Sequence, residues 1–205
     1  MNLIEAVFIW SIGLVLTNYV PERSPGDILD RLKAADIVDD IIPRAPYEAL
    51  QVQYNNHTVD FGNELPSAVM KLQPTVRWPA SNGTMFTLIC VGPDVPTREK
   101  PEERDWLHWL IGNIHENDTT KGEVRAEYIG IERPIYAKGT HRIIFLLYKH
   151  QDSLPIFYYG SVIKHRGDFY DRSYFSPLLM SKEHNLKNPI AVNYFTVTLG
   201  DIWDS

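Results

Sequence analysis

Alternating and mostly apolar segments recur along the chain, and most of them predict β-strands. Leu50, Val52 and Tyr54 alternate with glutamines, which is the pattern of a strand with one buried face. Further short segments rich in β-branched and aromatic residues predict strands over 75–78, 84–91, 106–114, 124–129, 142–150, 155–163 and 190–199. Between the first two of these segments, Ser81-Asn82-Gly83 predicts a hairpin turn.

Helix signals are few. Ser24 can cap a helix, Pro25 suits its first turn, and Asp27 favours its positive end. Apolar residues then recur on one helical face at Ile28, Leu29, Leu32 and Ala35. An acidic start followed by apolar residues predicts a second helix over 171–179. Many short strands with few helices predict a mainly antiparallel β-sandwich with a few peripheral helices.

Composition limits the class of protein. A chain of 205 residues, 44% of them hydrophobic, is long enough for one domain with a substantial core. The formal net charge is −6 and no run of Lys or Arg exceeds two residues, which argues against nucleic-acid binding as the main activity. The single cysteine, Cys90, excludes a disulfide framework and a cysteine-based metal site.

The usual signatures of an enzyme or a metal site do not occur. There is no nucleophile elbow, phosphate-binding glycine loop or His-Glu-x-x-His motif. His108 and His115 are seven residues apart on one predicted strand, so their side chains project to opposite faces and do not share a metal. We therefore expect no catalytic residue, no metal and no cofactor. A histidine-assisted hydrolase is the alternative, although it has no evident nucleophile.

Residues 6–16 form an apolar run of 11 residues near the N-terminus. This length is too short for a usual membrane span and suits the core of a signal peptide. We predict that residues 1–20 are a signal peptide, that residues 24–205 form a single domain, and that the protein is secreted. The alternatives are an uncleaved segment that packs on or anchors the domain, and a cytoplasmic location. Glycosylation sequons begin at Asn56, Asn82 and Asn117.

Three polar clusters interrupt the predicted strands. In the first, Gly92 ends an apolar run, and Pro93 and Pro96 bracket Asp94 in a loop that prolines make stiff. The second cluster reads Arg104-Asp105-Trp106-Leu107-His108-Trp109, and the third reads Gly139-Thr140-His141-Arg142. Taken alone, each cluster is more typical of a turn, a core strand or a salt bridge at a sheet edge than of a binding site.

Taken together, the clusters resemble the phosphatidylethanolamine-binding protein family in order and spacing. That family carries an Asp-Pro-Asp-x-Pro loop, an Arg-Glu-Trp-x-His segment and a Gly-x-His-Arg loop. The resemblance covers residues 27–201 and includes late segments at His165-Arg166-Gly167 and Asn188-Pro189-Ile190-Ala191. It implies a β-sandwich with a large central antiparallel sheet, a smaller sheet and a few peripheral helices. It also implies non-covalent binding of an anionic, phosphate-bearing head group in a small pocket, together with a regulatory role through protein interactions.

The resemblance assigns roles to individual residues of this chain. Residues implied to form the ligand pocket are His108, His141, Trp106, Pro93, Tyr128 and Gly130. Arg142 is implied to pair with Asp94 and so, with Pro96, to brace the two loops. Cis peptides are implied at Val95–Pro96 and Arg104–Asp105.

Two departures from the family pattern affect the ligand pocket. The first aspartate of the loop is Gly92, and the tyrosine after the His-Arg pair is Ile143. Without the carboxylate, the pKa of His108 should be lower than the family pattern implies. The first hypothesis is a binding protein for a phosphate-bearing head group or another small anion. The second is an interaction or inhibitor module whose pocket has lapsed, with an unidentified protein partner. In both cases we expect a monomer without a stable membrane span.

Overall fold

The structure is a computed structural model and describes residues 22–131, 135–165, 167 and 169–200. In chain order its main elements are α1 (Pro25–Ala34), β1 (Glu48–Ala49), β2 (Gln51–Tyr54), β3 (His57–Thr58), β4 (Thr75–Arg77), β5 (Met85–Gly92), β6 (Trp106–His115), β7 (Glu123–Ala126), β8 (Gly139–Lys149), α2 (Pro177–Glu183) and β9 (Ala191–Leu199). Short 3₁₀ turns lie at Ser67–Lys71, Thr119–Lys121, Gln151–Ser153 and Phe169–Arg172. The predicted signal peptide, residues 1–20, lies outside the described residues.

Two sheets form the frame of the described chain. The larger has six strands in the order β1-β9-β8-β5-β6-β7, and the smaller has three in the order β3-β2-β4. All pairs in the larger sheet are antiparallel except β1 with β9. The fold is therefore mainly β, with a large central sheet, a smaller sheet and two α-helices, as predicted.

The core lies on both faces of the larger sheet, because its central strands are buried on both sides. On β8, Ile143, Phe145 and Leu147 belong to one apolar cluster, which includes residues of the small sheet. The alternating residues Ile144, Leu146 and Tyr148 belong to a second cluster with α1. This division follows from the alternation of side chains along a strand.

The predicted hairpin at Ser81-Asn82-Gly83 is wrong. Strands β4 and β5 belong to different sheets, so the turn connects the sheets and does not join paired strands. Buried Thr84 ends the turn, where its hydroxyl donates to the carbonyl of Ser81 at 2.6 Å. A local turn motif does not specify which strands pair, because that choice depends on long-range packing.

The predicted strand over 155–163 is not formed either. In this segment only Ile163 makes a β-bridge, with Ala126. The side chain of Asn113 bonds the backbone of Ile156 instead: its Oδ1 accepts from Ile156 N at 2.7 Å, and its Nδ2 donates to Ile156 O at 2.9 Å. An aromatic-rich pattern thus predicted a strand where side-chain hydrogen bonds hold an irregular segment.

The two helices begin at Ser-Pro pairs. Ser24 caps α1 and Ser176 caps α2, with the proline in the first turn of each helix. The predicted helix over 171–179 is therefore displaced, since a 3₁₀ turn ends at Arg172 and α2 begins only at Pro177. Among the described residues, no helix has the length and hydrophobicity needed to cross a membrane.

Candidate functional site

The end of β5 and the starts of β6 and β8 bring the three polar clusters together. Arg142 makes two charge-assisted contacts with Asp94, Nη2 to Oδ1 at 2.6 Å and Nε to Oδ2 at 2.9 Å. The backbone N–H of Arg142 also donates to Asp94 Oδ2, at 2.8 Å. A third group, Nη1, donates to the carbonyls of Ala35 and Asp36 at 2.7 and 2.9 Å. This buried pair connects both loops to the end of α1.

The peptides Val95–Pro96 and Arg104–Asp105 are both cis, as the resemblance implies. Pro93 is buried directly after Gly92, and Gly92 pairs with Trp106 across the sheet. Trp106 is 2% exposed and His108 is fully buried. These two side chains are two residues apart on β6, so they lie on the same face of the sheet.

The imidazole of His108 is held at both ring nitrogens. Nδ1 lies 2.8 Å from the carbonyl oxygen of Ile129, which can only accept, so Nδ1 carries the proton. Nε2 then accepts from the hydroxyl of Tyr136 at 2.7 Å. The pKa of His108 is lowered to about 4, mainly by burial and also by the positive charge of Arg172, while backbone hydrogen bonds with Ile129 and Gly130 act in the opposite direction. The ring is therefore neutral near pH 7.

The imidazole of His141 is also enclosed by protein groups. Nδ1 lies 2.8 Å from the carbonyl oxygen of Asp94, and Nε2 lies 2.9 Å from that of Ala137. Both carbonyl oxygens can only accept, so each ring nitrogen can donate to its own carbonyl when it carries a proton. Each of the four ring nitrogens of His108 and His141 thus faces a protein group.

Tyr136 fills the space between the two histidines. Its ring centroid is 5.8 Å from that of His108, in a stacked arrangement, and 5.1 Å from that of His141, edge to face. The side chain is 2% exposed, and burial raises the pKa of its hydroxyl well above the ordinary value. A neutral phenol therefore occupies the centre of the candidate site.

The missing side chain at Gly92 makes room for this tyrosine. A Cβ atom at Gly92 would clash with the hydroxyl oxygen of Tyr136 and would lie 3.0 Å from His108 Nε2. The family's first loop aspartate therefore cannot be accommodated while Tyr136 holds this position. No motif in the sequence points to Tyr136, although a glycine in place of a buried carboxylate is a signal that another group fills the space.

Tyr128 and Gly130 lie behind the histidines and pack toward the small sheet. The hydroxyl of Tyr128 is 3.0 Å from that of Tyr54 and donates to the carbonyl of Met70 at 3.1 Å. A Cβ at Gly130 would clash with the same Met70 carbonyl, so only glycine allows this close approach. The hydroxyl of Tyr128 is thus used within the core. Ligand contact by Tyr128 or Gly130 stays a prediction.

A cavity of about 330 Å³ lies beside the filled site. Its apolar lining comes from Pro96, Trp106, Ile135 and Tyr170. Glu102 and Glu103 also line it; Glu102 pairs with Lys100 at 2.9 Å. The negative charge at this opening disfavours an anionic ligand. Within the described residues, no group of three or more His, Cys, Asp or Glu side chains is arranged to hold a metal ion.

Comparison with known proteins identifies the family. A family model described as phosphatidylethanolamine-binding protein matches residues 55–195. The chain is 29% identical over 166 residues to "Putative odorant-binding protein A5" of Drosophila melanogaster, covering 80% of this chain and 77% of that protein. It is 29% identical over 163 residues to a 26 kDa secreted antigen of Toxocara canis, covering 79% of this chain and 61% of the relative's length.

A solved structure supports the same assignment. The solution structure of CG7054 is 32% identical in sequence and superposes with a TM-score of 0.59, covering 81% of this chain and 93% of that one. The mainly β fold with its two sheets agrees with these matches. The chain belongs to the phosphatidylethanolamine-binding protein family.

Proposed function

We propose that this protein is a non-catalytic binding protein that takes a small, mainly apolar molecule in the cavity beside Trp106 and not a phosphate-bearing head group between its histidines. The observation that carries the proposal is the Tyr136 hydroxyl, which donates to His108 Nε2 at 2.7 Å in the place left by Gly92. The family's scaffold and its binding function are retained, and the chemistry of the ligand changes.

Phosphate recognition needs donors or positive charge directed at the anion. His108 offers neither, because Nδ1–H donates to the carbonyl of Ile129 and Nε2 accepts a hydrogen bond from the hydroxyl of Tyr136. His141 is turned toward two carbonyl oxygens. The positive charge of Arg142 is already balanced by Asp94, so it adds no free cation. These contacts support a closed site.

The cavity beside Trp106 has the character of a site for a small organic ligand. Ligand sites are mostly apolar, with a few polar groups at defined positions, and have volumes of roughly 300–1,000 Å³. Its volume of about 330 Å³ is at the lower end of this range. The name of the Drosophila relative, which refers to odorant binding, supports a ligand of this size and polarity.

Binding of the neutral fluorophore N-phenyl-1-naphthylamine tests this proposal. The natural protein should bind it saturably with enhanced emission, and Tyr170→Ala should weaken binding because Tyr170 lines the cavity. Tyr47→Ala is the matched control, since Tyr47 is 75% exposed, Tyr170 is 77% exposed, and Tyr47 does not line this cavity. Absence of saturable binding, or equal loss in both variants, would refute the proposal.

Head-group binding at His108 and His141, with Trp106, Pro93, Tyr128 and Gly130 as the other contacts, is the second candidate. It is favoured by the position of the two imidazoles on either side of one tyrosine ring. If Tyr136 moved away, an opening between two histidines would remain. Under this candidate, Asp94, Arg142 and Pro96 brace the loops without touching the ligand. A protein partner at the same loops is a further form of binding that the fold permits.

We also propose that the protein is secreted, with residues 1–20 removed and residues 24–205 forming one domain. Support comes from the apolar run at 6–16 and from the secreted antigen among the relatives. Asn56, Asn82 and Asn117 are exposed and therefore accessible to glycosylation. Mass spectrometry of protein from the native source should find a mature N-terminus near residue 20 and glycan on these asparagines. An intact Met1 without glycan would contradict secretion.

A further inference from the structure

A second cavity lies on the face of β6 opposite Trp106 and His108. It measures about 370 Å³. Leu107 and Leu110 of β6 form part of its floor, together with Ile163 and Met180. Leu107 belongs to the apolar cluster with α1, whereas Trp106 belongs to the cluster that includes the small sheet, so the two lie on opposite faces of the sheet. His108 bonds Tyr136, which belongs to the same cluster as Trp106. This cavity is therefore separate from the histidine site and from the cavity beside Trp106.

Aromatic side chains form the rim of the second cavity. They are Tyr159, Tyr174 and Phe175, whereas Tyr158 is buried in the wall and the guanidinium of Arg125 lies over its ring. Tyr159 is 79% exposed and Tyr174 is 66% exposed, so these rings face solvent and are available to a ligand. The negative faces of aromatic rings attract organic cations, and several rings around one opening strengthen that attraction.

The charges at the rim favour a cation as well. Arg125 is committed, because it pairs with Glu123 at 3.0 Å and donates to the carbonyls of Tyr159 and Gly160 at 3.2 and 2.6 Å. Glu183, in the last turn of α2, lines the cavity and has no ion-pair partner among the described residues. The unbalanced charge at this opening is therefore a carboxylate.

The imidazole of His184 is a polar group in the wall of this cavity. The ring of His184 packs against that of Tyr158, with centroids 4.9 Å apart. Neither of its ring nitrogens has a hydrogen-bond partner in the part of the chain that the structure describes, although the residue is half-buried. In its neutral form this imidazole can accept a hydrogen bond from an ammonium N–H.

We propose that this cavity binds an amphipathic organic amine. The aryl or alkyl body occupies the aliphatic floor, and the ammonium group lies between the aromatic rim and the carboxylate of Glu183, where His184 accepts a further hydrogen bond. A carboxylate or phosphate ligand is disfavoured by Glu183, and a neutral ligand of the same shape gains nothing from that charge. The site is independent of the cavity beside Trp106, so its failure and the failure of the proposed function are distinguishable.

Three ligands that share one phenylbutyl body test the proposal in calorimetric titrations: 4-phenylbutylamine, 4-phenylbutanol and 4-phenylbutyrate. At pH 7 the amine should bind most tightly, with a dissociation constant about threefold to fivefold below that of the alcohol, and the carboxylate should bind most weakly. Glu183→Gln should raise the dissociation constant for the amine by part of this factor, because the aromatic rim still attracts the ammonium group, and should leave the constant for the alcohol unchanged. Glu183 is exposed, so this variant should fold normally.

Glu103→Gln is the matched control, because it removes a carboxylate from the cavity beside Trp106. It should leave amine binding unchanged. The proposal is overturned if the alcohol or the carboxylate binds as tightly as the amine, if Glu183→Gln has no effect, or if Glu103→Gln is the variant that weakens binding. Absence of saturable amine binding up to millimolar concentration would overturn it too.

Discussion

Two positions of the same loop, Gly92 and Asp94, differ in what the chain has kept from the family motif. Asp94 retains its carboxylate and forms a buried ion pair with Arg142. At Gly92 the carboxylate is absent, and the hydroxyl of Tyr136 takes its place against His108. The difference shows that two positions of the motif can change separately, since one shapes the loops and the other determines which group faces His108.

The largest expected effect comes from breaking the Asp94–Arg142 pair. Arg142→Met leaves the buried carboxylate of Asp94 without its partner, so the free energy of unfolding should fall by about 3–5 kcal/mol in urea denaturation. Arg98→Gln is the control, because Arg98 pairs with Asp36 at the surface, and the loss there should be at most about 1 kcal/mol. Equal losses in the two variants would show that the buried pair does not brace the loops.

The next effect is a loss of stability in acid that depends on His108. The pKa of His108 is about 4 in the folded protein against an ordinary value of 6.5. Below pH 6.5 the unfolded chain binds a proton that the folded protein does not, so stability falls by about 1.4 kcal/mol per pH unit until pH 4, and it is unaffected above pH 6.5. His108→Gln should lack this part of the pH dependence. If the natural protein and the variant lose stability in parallel between pH 6.5 and 4, His108 is not held neutral.

The smallest expected effect is the loss of stability when a side chain is added at Gly92. Gly92→Ala should lower the free energy of unfolding by about 1–3 kcal/mol, because its methyl group meets the hydroxyl of Tyr136. In a Tyr136→Ala background the same change should be nearly neutral, which a double-mutant cycle would measure as coupling. Gly26→Ala, where the added methyl has ordinary room, is the control. Additive losses would show that Gly92 and Tyr136 do not compete for one space.

The fold was predictable because strand periodicity and linked motifs both indicate it. The alternation at Leu50, Val52 and Tyr54 and the apolar run of β8 correspond to strands with the expected buried faces. The failures at 81–83 and 155–163 have one cause, since strand pairing depends on contacts far apart in sequence. In the second segment, the bonds of Asn113 to Ile156 span 43 residues.

The candidate site was predictable only where a motif marks it. His108, His141, Asp94 and Arg142 stand at positions that the motifs identify. Tyr136 belongs to no motif, and its bond to His108 joins residues 28 apart in sequence. Tyr136 determines whether Nε2 of His108 is available to a ligand. The position of the two histidines could therefore be predicted from the sequence, whereas the closing of the site by Tyr136 could not.

Calorimetric titration with phosphorylethanolamine at pH 6 and pH 7.5 tests the central claim, closure of the histidine site by Tyr136, most directly. We predict no saturable binding by the natural protein, binding by Tyr136→Ala, and loss of that binding in the double variant Tyr136→Ala/His141→Ala. Saturable binding by the natural protein that His141→Ala abolishes would contradict the claim. So would failure of Tyr136→Ala to bind, because removal of the tyrosine would then not open the site.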